Sequence, residues 1–220
     1  MSNNHLNHID EDGFAFRHVL IDLDLSYNEL AALCEKTFHS LRALLSLGLS
    51  FNKLSFLPEN IFAKCAILPF LHPDNNLLIF FPIRPQLPAS LQILSLSNNR
   101  MENLDVLNGS FPSLYSLDVI GDKQLETIYN HTFVRLPQLT YLAVSNRSLS
   151  HLDEDSFLYN RHLDYLLLAN NNLALDFSAD YFRRGAAFRH FRGAESCGLV
   201  KFHPPSIFRR MVSDLQSLLI

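Results

Sequence analysis

One spacing of apolar and polar positions, L-x-x-L-x-L-x-x-N-x-L, recurs down the chain. Four copies are clear: Leu20, Leu23, Leu25, Asn28, Leu30; Leu44, Leu47, Leu49, Asn52, Leu54; Leu91, Leu94, Leu96, Asn99, Met101; and Leu163, Leu166, Leu168, Asn171, Leu173. Three weaker copies keep the frame through Leu68, Leu71, Pro73, Asn76; Leu114, Leu117, Val119, Asp122; and Leu139, Leu142, Val144, Arg147. The polar position falls at 4, 28, 52, 76, 99, 122, 147 and 171, a period of 24 with slips of one residue. A Phe follows ten or eleven residues later at Phe14, Phe38, Phe62, Phe133, Phe157 and Phe182, whereas the Pro-rich stretch 77–90 has none at that spacing.

Each position has a physical reading. The L-x-x-L-x-L segment predicts a short strand whose alternate Leu side chains point inward. Stacking one copy on the next buries a core that no single copy could bury. The Asn at the turn out of the strand, at Asn28, Asn52, Asn76, Asn99 and Asn171, can both donate and accept, so it suits a ladder that pairs buried backbone groups of its own and the adjacent coil. The Phe position would build an aromatic spine toward the outer side. The expected fold is an α/β solenoid: a horseshoe of eight to ten coils, with a parallel sheet on its concave side and an irregular or short-helical convex side. Residues 1–182 hold about eight copies, the first partial, and 183–220 continue the solenoid as degenerate copies through Phe188, Phe191 and Phe208.

Composition fits a repeat. Of 220 residues 42 are Leu and 18 Asn, while charged residues are only 18%, below the quarter or so of a typical domain. The net charge of −4 is uneven, with −9 over 1–180 (11 Lys+Arg, 20 Asp+Glu) and +5 over 181–220 (7 and 2). Phosphate repulsion by the acidic bulk argues against a nucleic-acid partner. No apolar run reaches the 18 or so residues of a membrane-spanning helix.

Local motifs for chemistry dissolve into the repeat. Asp10-Glu11-Asp12 and Asp153-Glu154-Asp155 resemble carboxylate clusters for a cation, yet both sit at one frame position and read as solvated acidic starts to the convex segment. The ten His have no zinc-ligand spacing, and no nucleophile elbow, phosphate loop or kinase signature occurs, so neither metal, cofactor nor catalytic site is expected. Cys65 takes the place of a repeat Leu and should be a buried free thiol, and Cys34 and Cys197 are too many copies apart to pair.

Three sequons, at Asn108, Asn130 and Asn146, are candidate glycosylation sites. The pattern is that of a leucine-rich repeat, and its 24-residue period with a convex Phe resembles the extracellular repeats of Toll-like receptor and chaoptin-like ectodomains over residues 1 to about 182. That resemblance implies a non-enzymatic recognition, adhesion or receptor module, extracellular or at the cell surface, with a protein ligand or receptor as partner. Arg17 departs from the pattern where Leu is expected. The stretch Met1 to Asp12 has no secretory apolar segment, and the last copy stops after Leu215, Leu218 and Ile220, so a fragment of a longer chain is expected. An intracellular adaptor, or the repeat arm of a larger receptor enzyme, remains as an alternative.

Strand alternation then selects the recognition surface, since residues flanking the inward Leu must project from the concave face. The candidates are Phe70, Ile93, Asp118, Tyr141, Tyr165 and Leu167, with Tyr141 and Tyr165 expected about 4.8 Å apart at strand spacing.

Overall fold

The computed structural model describes residues 1–81, 87–104, 107, 109, 111–122, 124–145, 149–153, 155–168 and 170–173. Its strands are β1 (Asp22–Asp24), β2 (Ser46–Gly48), β3 (Phe70–His72), β4 (Ile93–Ser95), β5 (Ser116–Asp118), β6 (Thr127–Ile128), β7 (Tyr141–Ala143), β8 (His151–Leu152) and β9 (Tyr165–Leu167). Seven form one sheet in the order β1-β2-β3-β4-β5-β7-β9. Neighbours are parallel and pair the same position of successive copies, as in Leu23 with Leu47 and Leu142 with Leu166. Parallel pairing follows from the coil itself: the chain must return around the far side before it can lay down the next strand in the same direction. The molecule is a solenoid with this sheet on its concave side. Among the described residues the convex side is built of turns and irregular segments, plus the two-residue pair β6–β8. The degenerate copies over 183–220, ladder position 147, Phe182, Cys197 and residues 82–86 of the Pro-rich stretch lie outside the described residues.

The central Leu of each strand points into the core, where Leu47, Leu71, Leu94, Leu117 and Leu142 are fully buried. Beyond the strand the polar row closes the coil. Asn52 Nδ2 donates to the carbonyls of Leu49 (3.1 Å) and Ser50 (3.2 Å) in its own coil and of Leu25 (3.0 Å) in the coil before, while its Oδ1 accepts from the Leu30 N–H (3.0 Å). Asn28, Asn76 and Asn99 repeat the arrangement, and Asn171 Nδ2 reaches Val144 and Leu168. Asn99→Ala removes donors to Pro73, Leu96 and Ser97 and the acceptor for Leu78 N–H. Leaving those buried groups unpaired should cost roughly 1–3 kcal/mol, and an unchanged denaturation midpoint would show that the row does not support the stack.

Among the described residues, the one just before each row position adopts the left-handed conformation: Asn3, Tyr27, Phe51, Asn75, Asn98 and Asn170 have φ between 53° and 56°, and Gly121 has φ 87°. Glycine is required at 121 because a Cβ would also collide with the side-chain oxygen of Asn98.

The aromatic spine is interrupted differently from the sequence expectation. Phe14 lies tilted against Phe38 at 6.2 Å, Phe38 stacks on Phe62 at 6.3 Å, and the next ring is Phe81, 6.4 Å from Phe62. Phe81 lies only five residues past Asn76. An early Phe can serve because an irregular convex crossing, unlike a helix, can bring a residue inward at more than one point. Phe133 and Phe157 stack farther along at 5.6 Å. Cys65 is a buried free thiol whose pKa is pushed up by burial to about 11. At the matching place, three residues after Phe157, buried Asn160 donates to the carbonyls of Phe133 (3.0 Å) and Leu136 (2.9 Å), a second polar clamp.

Candidate protein-binding site

The residues flanking each inward Leu form two columns across the sheet. In β1 both flanking residues, Asp22 and Asp24, are exposed; in β2 and β3 they are half-buried; in β4, β5, β7 and β9 one of the two is buried. Side chains on a concave surface converge, so larger ones shield one another. Phe70, Asp118, Tyr141 and Leu167 keep partial exposure, whereas Ile93 and Tyr165 retain only 9%. The six sequence-derived residues therefore all lie on this face, but Ile93 and Tyr165 offer little free surface.

Tyr141 and Tyr165 are direct strand partners, with ring centroids 6.1 Å apart and planes tilted by 40°. The separation exceeds the 4.8 Å expected from strand spacing because the rings tilt out of a face-to-face stack, which their quadrupoles disfavour. Burial, with the Asp118 carboxylate adding to it, pushes the Tyr141 hydroxyl up to about 12, so it remains a neutral donor. Asp118 accepts from the Ser97 hydroxyl and from the Ile120 N–H (3.0 Å), yet burial outweighs both and raises its pKa.

Farther back, the row position 122 is an Asp. Its Oδ1 accepts from the N–H groups of Asn99 (3.0 Å) and Met101 (3.1 Å), while its buried Oδ2 has no hydrogen-bond partner. Burial raises its pKa to about 7 against the effect of those two N–H donors, with Asp118 reinforcing the rise. On the convex side Asn130 is exposed beside β6, its N–H donating to Asp153 Oδ2 (3.0 Å). Asn108 and Asn146 lie outside the described residues. Among the described residues no three His, Cys, Asp or Glu side chains are placed to hold a metal ion, and no helix is long and apolar enough to cross a membrane.

The stacked parallel strands, the inward Leu and the polar row that closes each coil define a stacked-repeat protein. The chain belongs to the leucine-rich repeat family, whose model matches residues 1–54, 19–78 and 112–173. Epiphycan of Gallus gallus is 30% identical over 95 residues, 42% of this chain and 29% of epiphycan. Toll-like receptor 3 of Boselaphus tragocamelus is 38% identical over 93 residues, 41% of this chain and 9% of that receptor. The chain thus matches less than a third of these relatives' length. Among solved structures, Toll in the Drosophila Toll–Spatzle complex aligns over 81% of this chain and 27% of its own, at 23% identity and a TM-score of 0.58. The TLR13–ssRNA13 complex aligns over 82% and 30%, at 26% identity and a TM-score of 0.66.

Neither Asn160 nor the left-handed row that holds Tyr27 and Phe51 follows from the repeat consensus. The sequence carries a signal for the row, in that Asn occupies the place before the ladder residue in five copies, at 3, 75, 98, 146 and 170. For Asn160 the signal was a polar residue at the place taken by Cys65 and Leu41.

Proposed function

We propose that the protein is a non-enzymatic recognition module of a secreted or cell-surface protein, holding a protein ligand on its concave strand face. The observation that carries this reading is the outward row of Phe70, Ile93, Tyr141, Tyr165 and Leu167 on the side of the sheet opposite the Leu core. Of these, Phe70, Tyr141 and Leu167 keep partial exposure, with Tyr141 seated against the buried Tyr165, and aromatic side chains are among those in which binding energy concentrates. Asp118 supplies a hydrogen-bonding group among them. Likeness to a Toll-like receptor, and to Toll in complex with Spatzle, supports a receptor-like module with a protein ligand. The exposed sequon Asn130 fits a secreted or surface location, with Asn108 and Asn146 as further candidate glycan sites.

Because TLR13 forms its complex with single-stranded RNA, nucleic acid is kept as a competitor in the test. The full chain is screened against secreted proteins and single-stranded RNA, and the hit is titrated against a Tyr141→Ala/Tyr165→Ala variant. The double substitution should weaken protein binding by more than ~2 kcal/mol with the fold retained. Undiminished affinity would place the ligand on another surface. Expression through a secretory route should yield a glycan on Asn130, and an unmodified Asn130 would favour the intracellular adaptor.

A further inference from the structure

We propose that the edge of the sheet in the first three coils is a second contact surface, which takes an arginine side chain of a basic protein partner between the stacked Tyr27 and Phe51 rings and the carboxylates of Asp24 and Asp74. It adjoins the concave face but does not depend on that face being a binding site.

In the row before the ladder positions two aromatic residues stand where the backbone selects against them, as Phe16 (φ 65°) does elsewhere. At 3, 75, 98, 121 and 170 the left-handed place is filled by Asn or Gly, the residue types that enter this region most easily, whereas Tyr27 and Phe51 adopt it with φ of 56° and 53°. Core packing does not explain their presence, since they remain 45% and 39% exposed. Their rings lie nearly parallel, with centroids 4.3 Å apart and planes 8° off, and form a flat apolar slab open to solvent.

The charged side chains on the strand face beside the slab have one sign, and Lys53, two residues past Phe51, is paired with Glu29 (2.8 Å). Across the seven strands and the residues that lead out of them to the left-handed row there are four Asp, at 22, 24, 74 and 118, and no Lys or Arg. Every described Lys and Arg, from Arg17 to Arg161, lies elsewhere on the coils. Partial burial opposes ionisation of Asp24, but the Ser26 N–H (2.9 Å), the Ser26 and Ser2 hydroxyls and the positive amino group of Met1 outweigh it and hold its carboxyl below the usual range. Gly48 makes room for it: a Cβ there would come within 2.7 Å of Asp24 Oδ1 and 2.9 Å of the Ser26 hydroxyl oxygen. On the third coil Asp74 accepts from the Ser50 hydroxyl (2.8 Å) and from Asn75 Nδ2 (2.7 Å), which orients both of its oxygens. The Phe51 N–H bonds the Asp74 carbonyl (3.1 Å) and the Tyr27 N–H that of Ser50 (2.9 Å), so rings and carboxylates share adjacent rungs.

A planar, delocalised cation suits such a place. Guanidinium stacks on aromatic faces and bonds carboxylates through a rigid fork, while an ammonium offers only a point charge. A phosphate backbone would meet carboxylates and no compensating cation.

The test uses the full chain and a fluorescent Gly/Ser peptide carrying three Arg. Controls are the same peptide with citrulline, which keeps the shape and loses the charge, and a single-stranded RNA. The Arg peptide should bind, weaken with added salt, and exceed the citrulline peptide by about tenfold. In Tyr27→Asn/Phe51→Asn binding should fall about fivefold or more while the thermal midpoint holds or rises, because Asn suits the left-handed backbone. A purely structural stack would instead lower the midpoint. Asp24→Asn should weaken the Arg peptide alone, and Tyr141→Ala/Tyr165→Ala should leave it bound, which separates this site from the concave one. Equal binding of the citrulline peptide, unchanged binding in the Asn variants, or RNA bound more tightly than the peptide would overturn the proposal. So would a dimer lost in Asp24→Asn, which would assign the surface to the basic residues 181–220 of a second copy.

Discussion

Asp122→Asn stabilises the protein at neutral and alkaline pH and has almost no effect near pH 4. Wherever the ladder residue is Asn, its Nδ2 donates to the carbonyl three residues back and to the corresponding carbonyl of the preceding coil, as Asn76 does to Pro73 and Leu49. At 122 that atom is Oδ2, which has no partner and by register faces the carbonyls of Val119 and Leu96. A carboxylate there would set oxygen against oxygen in a buried place; a carboxylic acid could donate. Burial accordingly lifts the Asp122 pKa from 3.8 to about 7, and ionised Asp118 adds to the shift. Because the folded-state value is the higher one, this group's stabilising contribution is complete below the unfolded pKa and declines as the pH rises through 4 to 7. At about 1.4 kcal/mol per unit, the difference reaches on the order of 4 kcal/mol above pH 7. Asn supplies the missing donor at every pH. Urea denaturation of both proteins at pH 4, 6 and 8 checks this, and comparing the two cancels titration of the groups they share, apart from Asp118, whose own titration responds to the Asp122 charge. A gap between them that does not widen with pH would show that Asp122 is not the titrating group.

Phe38→Ala should destabilise by about 3–5 kcal/mol at all these pH values. Phe38 is fully buried and packs between Phe14 and Phe62, so the deleted ring removes contacts on two coil interfaces at once. Stability of a stacked repeat is close to a sum over coils and their interfaces, so such damage does not stay within one coil. Phe38→Leu retains most of the volume and should lose much less. A loss below about 1 kcal/mol for the Ala variant would mean that the convex segment closes over the gap, and that the spine fills space without joining the coils.

The repeat determined where the strands lie and which way their residues face. Strand starts at 22, 46, 70, 93, 116, 141 and 165 follow from the spacing of Leu, because alternation along a strand and stacking of like on like leave a single register with the Leu inside. The same alternation places Phe70, Ile93, Asp118, Tyr141, Tyr165 and Leu167 on the outer face of the sheet. What they expose there was decided by the neighbours, since converging side chains cover Ile93 and Tyr165 and tilt the Tyr pair. Phe81 joins the spine because a convex crossing without helix imposes no period on its residues. The charge on Asp122, the clamp of Asn160 and the Tyr27–Phe51 slab likewise depend on atoms contributed by the adjoining coil, 21 to 27 positions away. A repeating pattern reports what every coil shares, through local alternation and backbone closure. Departures from it acquire their chemistry from whatever the next coil sets against them, and only the stacked structure brings those groups together.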